Sequence, residues 1–306
     1  MENKNILEQK IAVIGAGAVG STTAYTLMVR GLAAEIILID INEEKEKGEV
    51  LDINDGLSFS GIGKVIQGDY KDAAQADIII LTAGVAQKPG ETRLDLVSKN
   101  KEIVSSIFKE IGTIKETAII IVISNPVDII TYLVQQISNL PQNQVFGTGT
   151  CLDTARLRSN LAKRFLVDGS QVEGFVLAEH GNSEFIAWST VSIAGKKASE
   201  LLNQEEMNKI EEEVRNEVYE IINRKGATYY GIAMVASDVV RAILLDENKI
   251  LPVSHLLDNC NGVSGLCLGA PAVVGRSGII KPWPIELTEP EKEKLQKSAE
   301  TIKQYL

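Results

Sequence analysis

KIAVIGAGAVGSTTAYTLMVRG, residues 10–31, decides the fold. An apolar run at 10–15 ends on glycine, and 18–31 is helical in character, with Gly31 placed to close the helix. Between them lies Gly15-Ala-Gly17-Ala-Val-Gly20. Gly15 permits a tight turn, Gly17 lets a backbone approach a pyrophosphate, and Gly20 lets helix and strand pack closely. The helix start would then offer free N–H groups and a positive dipole end to a phosphate. A second apolar run at 35–40 ends in Asp40, at the offset where an acid accepts hydrogen bonds from an adenosine ribose. An acid there repels a 2′-phosphate, so the expected cofactor is NAD rather than NADP.

Outward from that unit, apolar runs at 64–69, 76–84, 118–126 and 145–149 alternate with helical stretches. The longest of these begins at Arg93, and its apolar Leu96, Val97, Ile103, Val104, Ile107, Phe108 and Ile111 recur at helical spacing. Strand runs that are apolar throughout need cover on both faces, which predicts a Rossmann-type doubly wound parallel sheet over 1–147. Beyond that point longer helices, such as 205–224, mix with short runs, which predicts an α+β substrate domain over 148–306. The final helix has Thr288 and Glu291 at capping-box spacing, with Leu295, Ala299, Ile302 and Leu306 forming one stripe.

Composition narrows the function. The chain has 306 residues, 31 Lys and Arg against 41 Asp and Glu, and a net charge of −10, which disfavours nucleic acid and anionic membranes as partners. No apolar run approaches a membrane span, and the first residues lack a signal-peptide pattern, so a cytoplasmic location is expected. Cys151, Cys260 and Cys267 have no CxxC spacing; neither a metal site nor a disulfide framework is expected. No GxxxxGK[ST] occurs and no tyrosine has a lysine four residues on, which removes P-loop nucleotidases and short-chain dehydrogenases.

Of the two histidines, His180 lies in AEHGN (178–182), and taken alone it reads as a parked imidazole satisfying a local hydrogen bond. Together TAGVAQKPGETRLDL (82–96), SNPVD (124–128), GTGTCLDTAR (147–156) and AEHGN resemble the L-lactate/L-malate dehydrogenase family, in order along nearly the whole chain, nearest its bacterial L-lactate branch. The resemblance implies reversible hydride transfer between NADH and a small 2-oxo monocarboxylic acid, pyruvate foremost.

The chemistry needs a proton donor, a carboxylate clamp, carbonyl polarisation and exclusion of water. His180 suits a donor that later acts as base, and Asp153 would hold its other ring nitrogen. Arg156, three residues on, can clamp a carboxylate bidentately. Arg93 ends a Gly/Pro-containing segment, a lid over 84–95 that could carry positive charge to the oxyanion.

The resemblance adds Asn125 at the carbonyl or nicotinamide side, and Thr228 and Gln87 beside the substrate side chain. It completes a cofactor set of Gly15, Gly17, Ala18, Val19, Gly20, Asp40, Gly84 and Asn125. Malate-type relatives carry arginine where this chain has Gln87; a neutral glutamine leaves a second carboxylate unpaired and disfavours oxaloacetate. Two departures from the lactate pattern matter. Asn182 replaces the usual aspartate, as in L-2-hydroxyisocaproate-type dehydrogenases, which take bulkier acids. Glu173 stands where relatives activated by fructose 1,6-bisphosphate have a histidine, although Arg158 matches their arginine; little response to the bisphosphate is expected.

A non-catalytic NAD-sensing protein is the competing class, and it leaves His180, Asp153, Arg156 and Arg93 as coincidences. The resemblance also implies a homotetramer or dimer. His255 and Trp283 belong to no motif and are expected to be structural.

Overall fold

The computed structural model describes residues 8–60, 63–85 and 93–306. The first half contains β1 (Lys10–Ile14), α1 (Ala18–Val29), β2 (Glu35–Ile39), α2 (Glu43–Asp55), α3 (Leu57–Ser60) and β3 (Lys64–Gln67). It continues through α4 (Tyr70–Ala74), β4 (Ile78–Leu81), α5 (Arg93–Ile111), β5 (Ile119–Val122), α6 (Val127–Ile137) and β6 (Val145–Gly147). The second half opens with α7 (Cys151–Phe165) and short strands β7 (Val172–Glu173), β8 (Val176–Leu177), β9 (Phe185–Ile186), β10 (Ser192–Ile193) and β11 (Lys196–Lys197). Helices α8 (Ala198–Leu201), α9 (Gln204–Lys225) and α10 (Tyr230–Leu244) follow, then β12 (Lys249–Leu256), β13 (Cys267–Gly275), β14 (Gly278–Pro282) and α11 (Glu289–Lys303).

Strands β3-β2-β1-β4-β5-β6 run parallel in that spatial order. The order reverses between β1 and β4, and in open α/β sheets a crevice for ligand opens at that point. Side chains along β1 alternate between two cores. Ile11 and Val13 pack with Leu27 of α1 and Val239 of α10; Ala12 and Ile14 pack with Ile107 of α5 and Ile130 of α6. Burial on both faces explains why these strands carry apolar residues without a polar alternation.

The second half contributes more to this sheet than its sequence pattern suggests. β12 joins β6 antiparallel through the Ser254–Gly147 pair, and β13 and β14 extend the edge to nine strands. All nine residues of β13 are buried, so CLGAPAVVG lacks the alternation that marks a half-exposed strand. The smaller sheets are β11-β10-β7 and β8-β9, the latter joined to β13 by a bridge between Ala178 and Gly269.

The final helix keeps its capping box, with the Thr288 N–H donating to Glu291 Oε2 at 2.8 Å. Its buried stripe of Leu295, Ala299 and Ile302 covers Leu177, Ala178 and Leu268, and burying each large aliphatic side chain is worth roughly 1.5–3 kcal/mol. Leu306 departs from expectation: the helix ends at Lys303 and this residue is exposed. His255 is buried with Nδ1 3.0 Å from the Val253 carbonyl oxygen, and burial lowers its pKa. Among the described residues no helix is long and apolar enough to cross a membrane.

Candidate active site

The first turn after β1 has the geometry of a phosphate cradle. Gly15 sits at φ +107°, and a Cβ there would come within 2.7 Å of Thr82 Oγ1. At Gly20 a Cβ would lie 1.7 Å from the Gly15 carbonyl oxygen, so only glycine lets α1 start this close to β1. A Cβ on Gly17 meets nothing within 4 Å: its backbone faces open space. Gly17 caps α1 without a side-chain hydrogen bond, and Ala18 and Val19 follow in the first turn. Asp40 ends β2 beside this loop, accepting from the Ala16 N–H at 2.6 Å and the Asn42 N–H at 2.9 Å.

Gly15, Gly17, Asp40, Thr82, Gly84 and Val85 line part of one cavity of about 410 Å³, at the carboxyl ends of β1, β2 and β4. The uncapped helix start, the open face of Gly17 and the acid at its rim fit a dinucleotide with a free 2′-hydroxyl. Nearby, Asn100 donates to the Asn125 carbonyl oxygen at 2.7 Å and to that of Val85 at 3.2 Å, and accepts from the Val85 N–H at 2.8 Å. The exposed Asn125 lies at the turn into α6 and is joined to Pro126 by a cis peptide bond.

The second cluster is assembled by α7 and β8. Thr150 Oγ1 donates to the Val176 carbonyl oxygen at 2.6 Å, and the Val176 N–H donates to Thr154 Oγ1 at 3.0 Å. These bonds lay β8 along the start of α7, which brings His180 level with Asp153. His180 Nδ1 lies 2.7 Å from Asp153 Oδ2, while Arg156 Nη1 donates to Asp153 Oδ1 at 2.7 Å. Asp153 and Arg156 are buried, whereas 26% of the His180 side chain is exposed. The triad has one open face, at the imidazole.

Charge on this cluster is redistributed by burial. For His180, burial favours the neutral ring, but the Asp153 carboxylate outweighs it and the pKa rises from 6.5 to about 9. Burial also opposes ionisation of Asp153, yet His180 and Arg156 together hold its carboxyl below the usual range. Glu184, with Oε2 4.0 Å from His180 Nδ1, is pushed up to about 8 by burial and by the Asp153 charge. His180 is therefore charged and hydrogen-bonded at neutral pH, with Nδ1–H donated to Asp153 and the Nε2–H left as a second donor on the ring.

The structure thus brings His180, Asp153 and Arg156 together, and separately gathers Gly15, Gly17, Gly20, Asp40 and Gly84. Thr228 is half-buried in the connection from α9 to α10, one residue before the cap at Tyr229. Arg93 opens α5, but its side chain and the whole of Gln87 lie outside the described residues, as does most of the expected 84–95 lid. Asn182 accepts from the Tyr219 hydroxyl at 3.2 Å, which ties the loop to α9. Two acids escaped the motif reading: Glu184, and Asp128, whose Oδ2 accepts from the His180 N–H at 2.9 Å. Glu184 could have been noticed one helical turn's spacing after His180; Asp128 lay in SNPVD without an assigned role.

A doubly wound sheet with a glycine cradle at its switch point, beside a His–Asp–Arg cluster, fits the class of nicotinamide-dependent dehydrogenases. Residues 9–147 match the family model for the lactate/malate dehydrogenase NAD-binding domain, and 150–306 that for the lactate/malate dehydrogenase alpha/beta C-terminal domain. The chain belongs to the lactate/malate dehydrogenase family. It is 46% identical over 304 residues to an L-lactate dehydrogenase of Clostridium botulinum, covering 97% of this chain and 96% of that one. An L-lactate dehydrogenase of Acetivibrio thermocellus is 45% identical over 311 residues, covering 99% and 98%. Among solved structures, a minor L-lactate dehydrogenase from Enterococcus mundtii in a ligand-bound form superposes with a TM-score of 0.95 at 40% identity, covering 98% of both chains.

Proposed function

We propose that the protein is an NAD-dependent L-lactate dehydrogenase that interconverts pyruvate and L-lactate. The observation that carries this reading is the buried Asp153 holding both His180 and Arg156, beside a cradle suited to a dinucleotide, in a chain so similar to L-lactate dehydrogenases. The bound nicotinamide supplies and recovers the hydride. In the reduction, His180 gives its Nε2 proton to the carbonyl oxygen and Asp153 stabilises the imidazolium beforehand; in the oxidation, neutral His180 takes the hydroxyl proton. One described hydrogen bond of Arg156 goes to Asp153, and the remaining guanidinium donors serve the substrate carboxylate. Arg93 polarises the carbonyl, Asn125 holds the turn at the nicotinamide side, and Thr228 and Gln87 border the substrate methyl group. Residues 1–147 carry the cofactor and 148–306 most of the substrate site.

Regulation by fructose 1,6-bisphosphate is weak in this reading. Arg158 Nε is buried without a hydrogen-bond partner among the described residues, so its guanidinium keeps a donor for an anion. Glu173, however, is exposed on β7 and holds Ser192 Oγ at 3.1 Å, which puts negative charge where a bisphosphate needs positive. A homo-oligomer in the cytoplasm belongs to the same reading.

NADH oxidation with pyruvate, 2-oxoisocaproate and oxaloacetate in parallel, with and without the bisphosphate, tests this assignment. Pyruvate should give the highest kcat/KM, by about tenfold or more over either competitor, and the bisphosphate should change its KM by less than about twofold. Parity with 2-oxoisocaproate would favour the broader 2-hydroxy-acid enzyme suggested by Asn182. Inactivity with all three would leave an NAD-binding protein without this chemistry.

A further inference from the structure

The segment that carries His180 has no regular structure around it, yet its main chain is held at every step. Ala178 exchanges two hydrogen bonds with Gly269 of β13, each 2.9 Å. The Glu179 N–H donates to Ser298 Oγ of α11 at 3.1 Å. The next N–H, that of His180 itself, donates to Asp128 Oδ2 at 2.9 Å across 52 residues of sequence. The other oxygen of the same carboxyl accepts from Ser254 Oγ on β12 at 2.6 Å. Asp128 and Ser254 are both buried, at 1% and 0% exposure.

Asp128 occupies the first turn of α6, three residues after Asn125, where the positive end of the helix favours a carboxylate. One side chain, on the helix that follows the Asn125 turn, therefore holds both the main chain of His180 and the strand that extends the sheet. Asp153 holds the ring of His180; Asp128 holds its backbone.

We propose that Asp128 is a positioning residue of the reaction: it sets where His180 stands relative to the Asn125 turn, and it adds a second buried negative charge beside the imidazole. This rests on the reading of His180 as the proton-transfer group. Misplacement by about 1 Å of a group that must deliver a proton in line costs up to roughly a hundredfold in rate, so a rigid tie is worth a buried carboxylate.

The charges that face His180 come from every element packed around it. Among the described residues they are Asp153 and Arg156 on α7, Asp128 on α6, and Glu184 just before β9, whose carbonyl oxygen accepts from Arg215 on α9. Asp128 is among those that favour the charged ring.

Two substitutions separate geometry from charge. Asp128→Asn can keep both hydrogen bonds, its amide oxygen accepting from the His180 N–H and its amide N–H donating to a turned Ser254 hydroxyl, while it removes the charge. Asp128→Ala removes both. The readout independent of turnover is the titration of the ring carbon-bound proton by NMR, with histidine labelled at that carbon. The chain has only His180 and His255, so a His255→Asn variant assigns the two signals.

In Asp128→Asn the proton affinity of His180 should fall at least about threefold, with NADH affinity unchanged. In Asp128→Ala the single-turnover rate of NADH oxidation should fall at least about thirtyfold, while the half-saturating substrate concentration, set by Arg156, moves less than about threefold. An unmoved His180 titration in Asp128→Asn, or a loss in Asp128→Ala confined to half-saturation, would overturn the proposal. If Asp128→Ala fails to fold, Ser254→Ala takes its place: it frees one oxygen of Asp128 and should slow single turnover several-fold without shifting the titration, and an unchanged rate would count against the tie. Failure of pyruvate as substrate would show in the wild type alone and leave the His180 titration as the deciding result.

Discussion

At the scale of the residue, the proposed proton transfer by His180 sets the expected pH dependence. The folded pKa is raised from 6.5 to about 9, so the protonated ring required for reduction is present through neutral pH and lost above about 9. kcat/KM for pyruvate reduction should be level between about pH 6.5 and 8, then fall tenfold per pH unit at the alkaline end. Removing the neighbouring carboxyl in Glu184→Gln takes away a charge that favours the protonated ring, so the alkaline limb should move to lower pH; a limb that stays fixed would mean Glu184 has no electrical contact with His180. The same shift bears on stability. A group whose pKa rises on folding stabilises fully below its unfolded value, and that contribution disappears as pH passes the folded value. Thermal stability should thus decline from about pH 6.5 to 9 in the wild type and less steeply in His180→Asn, read by calorimetry at each pH.

Much of this cluster was legible in the sequence. Asp153 and Arg156 share one helix turn, and His180 stands in a motif whose chemistry calls for a partner acid. Asp128 was not, because its partner is a main-chain N–H, which no residue type announces, and because 52 residues separate the two.

At the scale of the element, the turn from β1 to α1 divides structural glycines from a functional one. Gly20 has no room for a methyl group, since its Cβ would sit 1.7 Å from the Gly15 carbonyl oxygen. Gly17 has room and sits at φ −73°, a conformation that alanine adopts freely. Gly17→Ala should therefore leave the melting temperature within a degree or two of wild type yet weaken NADH binding at least about tenfold, because the added methyl stands where a pyrophosphate must approach. Gly20→Ala should cost about 1–3 kcal/mol of stability by forcing α1 away from β1. Fluorescence titration with NADH, beside thermal melts of both variants, decides it; equal NADH affinity in Gly17→Ala and wild type would remove the phosphate from this turn. The six parallel strands were readable for the same reason that this turn was: continuous apolar runs separated by helices admit few arrangements. The antiparallel edge was not readable. β12 and β13 contain Pro252 and Pro271 opposite one another, and β13 is buried along its whole length, so neither period nor composition marked them as strands.

At the scale of the whole molecule, one face remains apolar and open. Tyr25 and Val29 of α1, Leu51 of α2, Phe59 of α3, and Tyr230 and Met234 of α10 are all exposed, Phe59 at 92%. Tyr25 and Tyr230 line one depression together with Asp52, and Met234 lines a larger cavity of about 900 Å³ with Arg30, Leu166 and Leu251 among others. Monomeric soluble proteins rarely expose so continuous an apolar surface, and a second copy of the chain would cover it. Arg30, Arg158 and Lys163 stand around the larger cavity, where Lys249 is already paired with Asp238 at 2.6 Å, while Asp52 and Glu49 border the smaller one, so two copies can set unlike charges against each other. The chain should therefore run in light scattering at a multiple of 33.2 kDa at about 10 μM. Met234→Glu places a charge on the rim of the larger cavity and should shift the mass toward 33.2 kDa, whereas Ile280→Lys, exposed on β14 and lining neither cavity, should not. Both positions are already solvent-exposed, where substitutions change monomer stability by only about 0.5 kcal/mol, so a mass change reports association rather than unfolding. A wild type that runs at 33.2 kDa would sink the idea, and a Met234→Glu variant that stays assembled would move the interface to another face of the sheet.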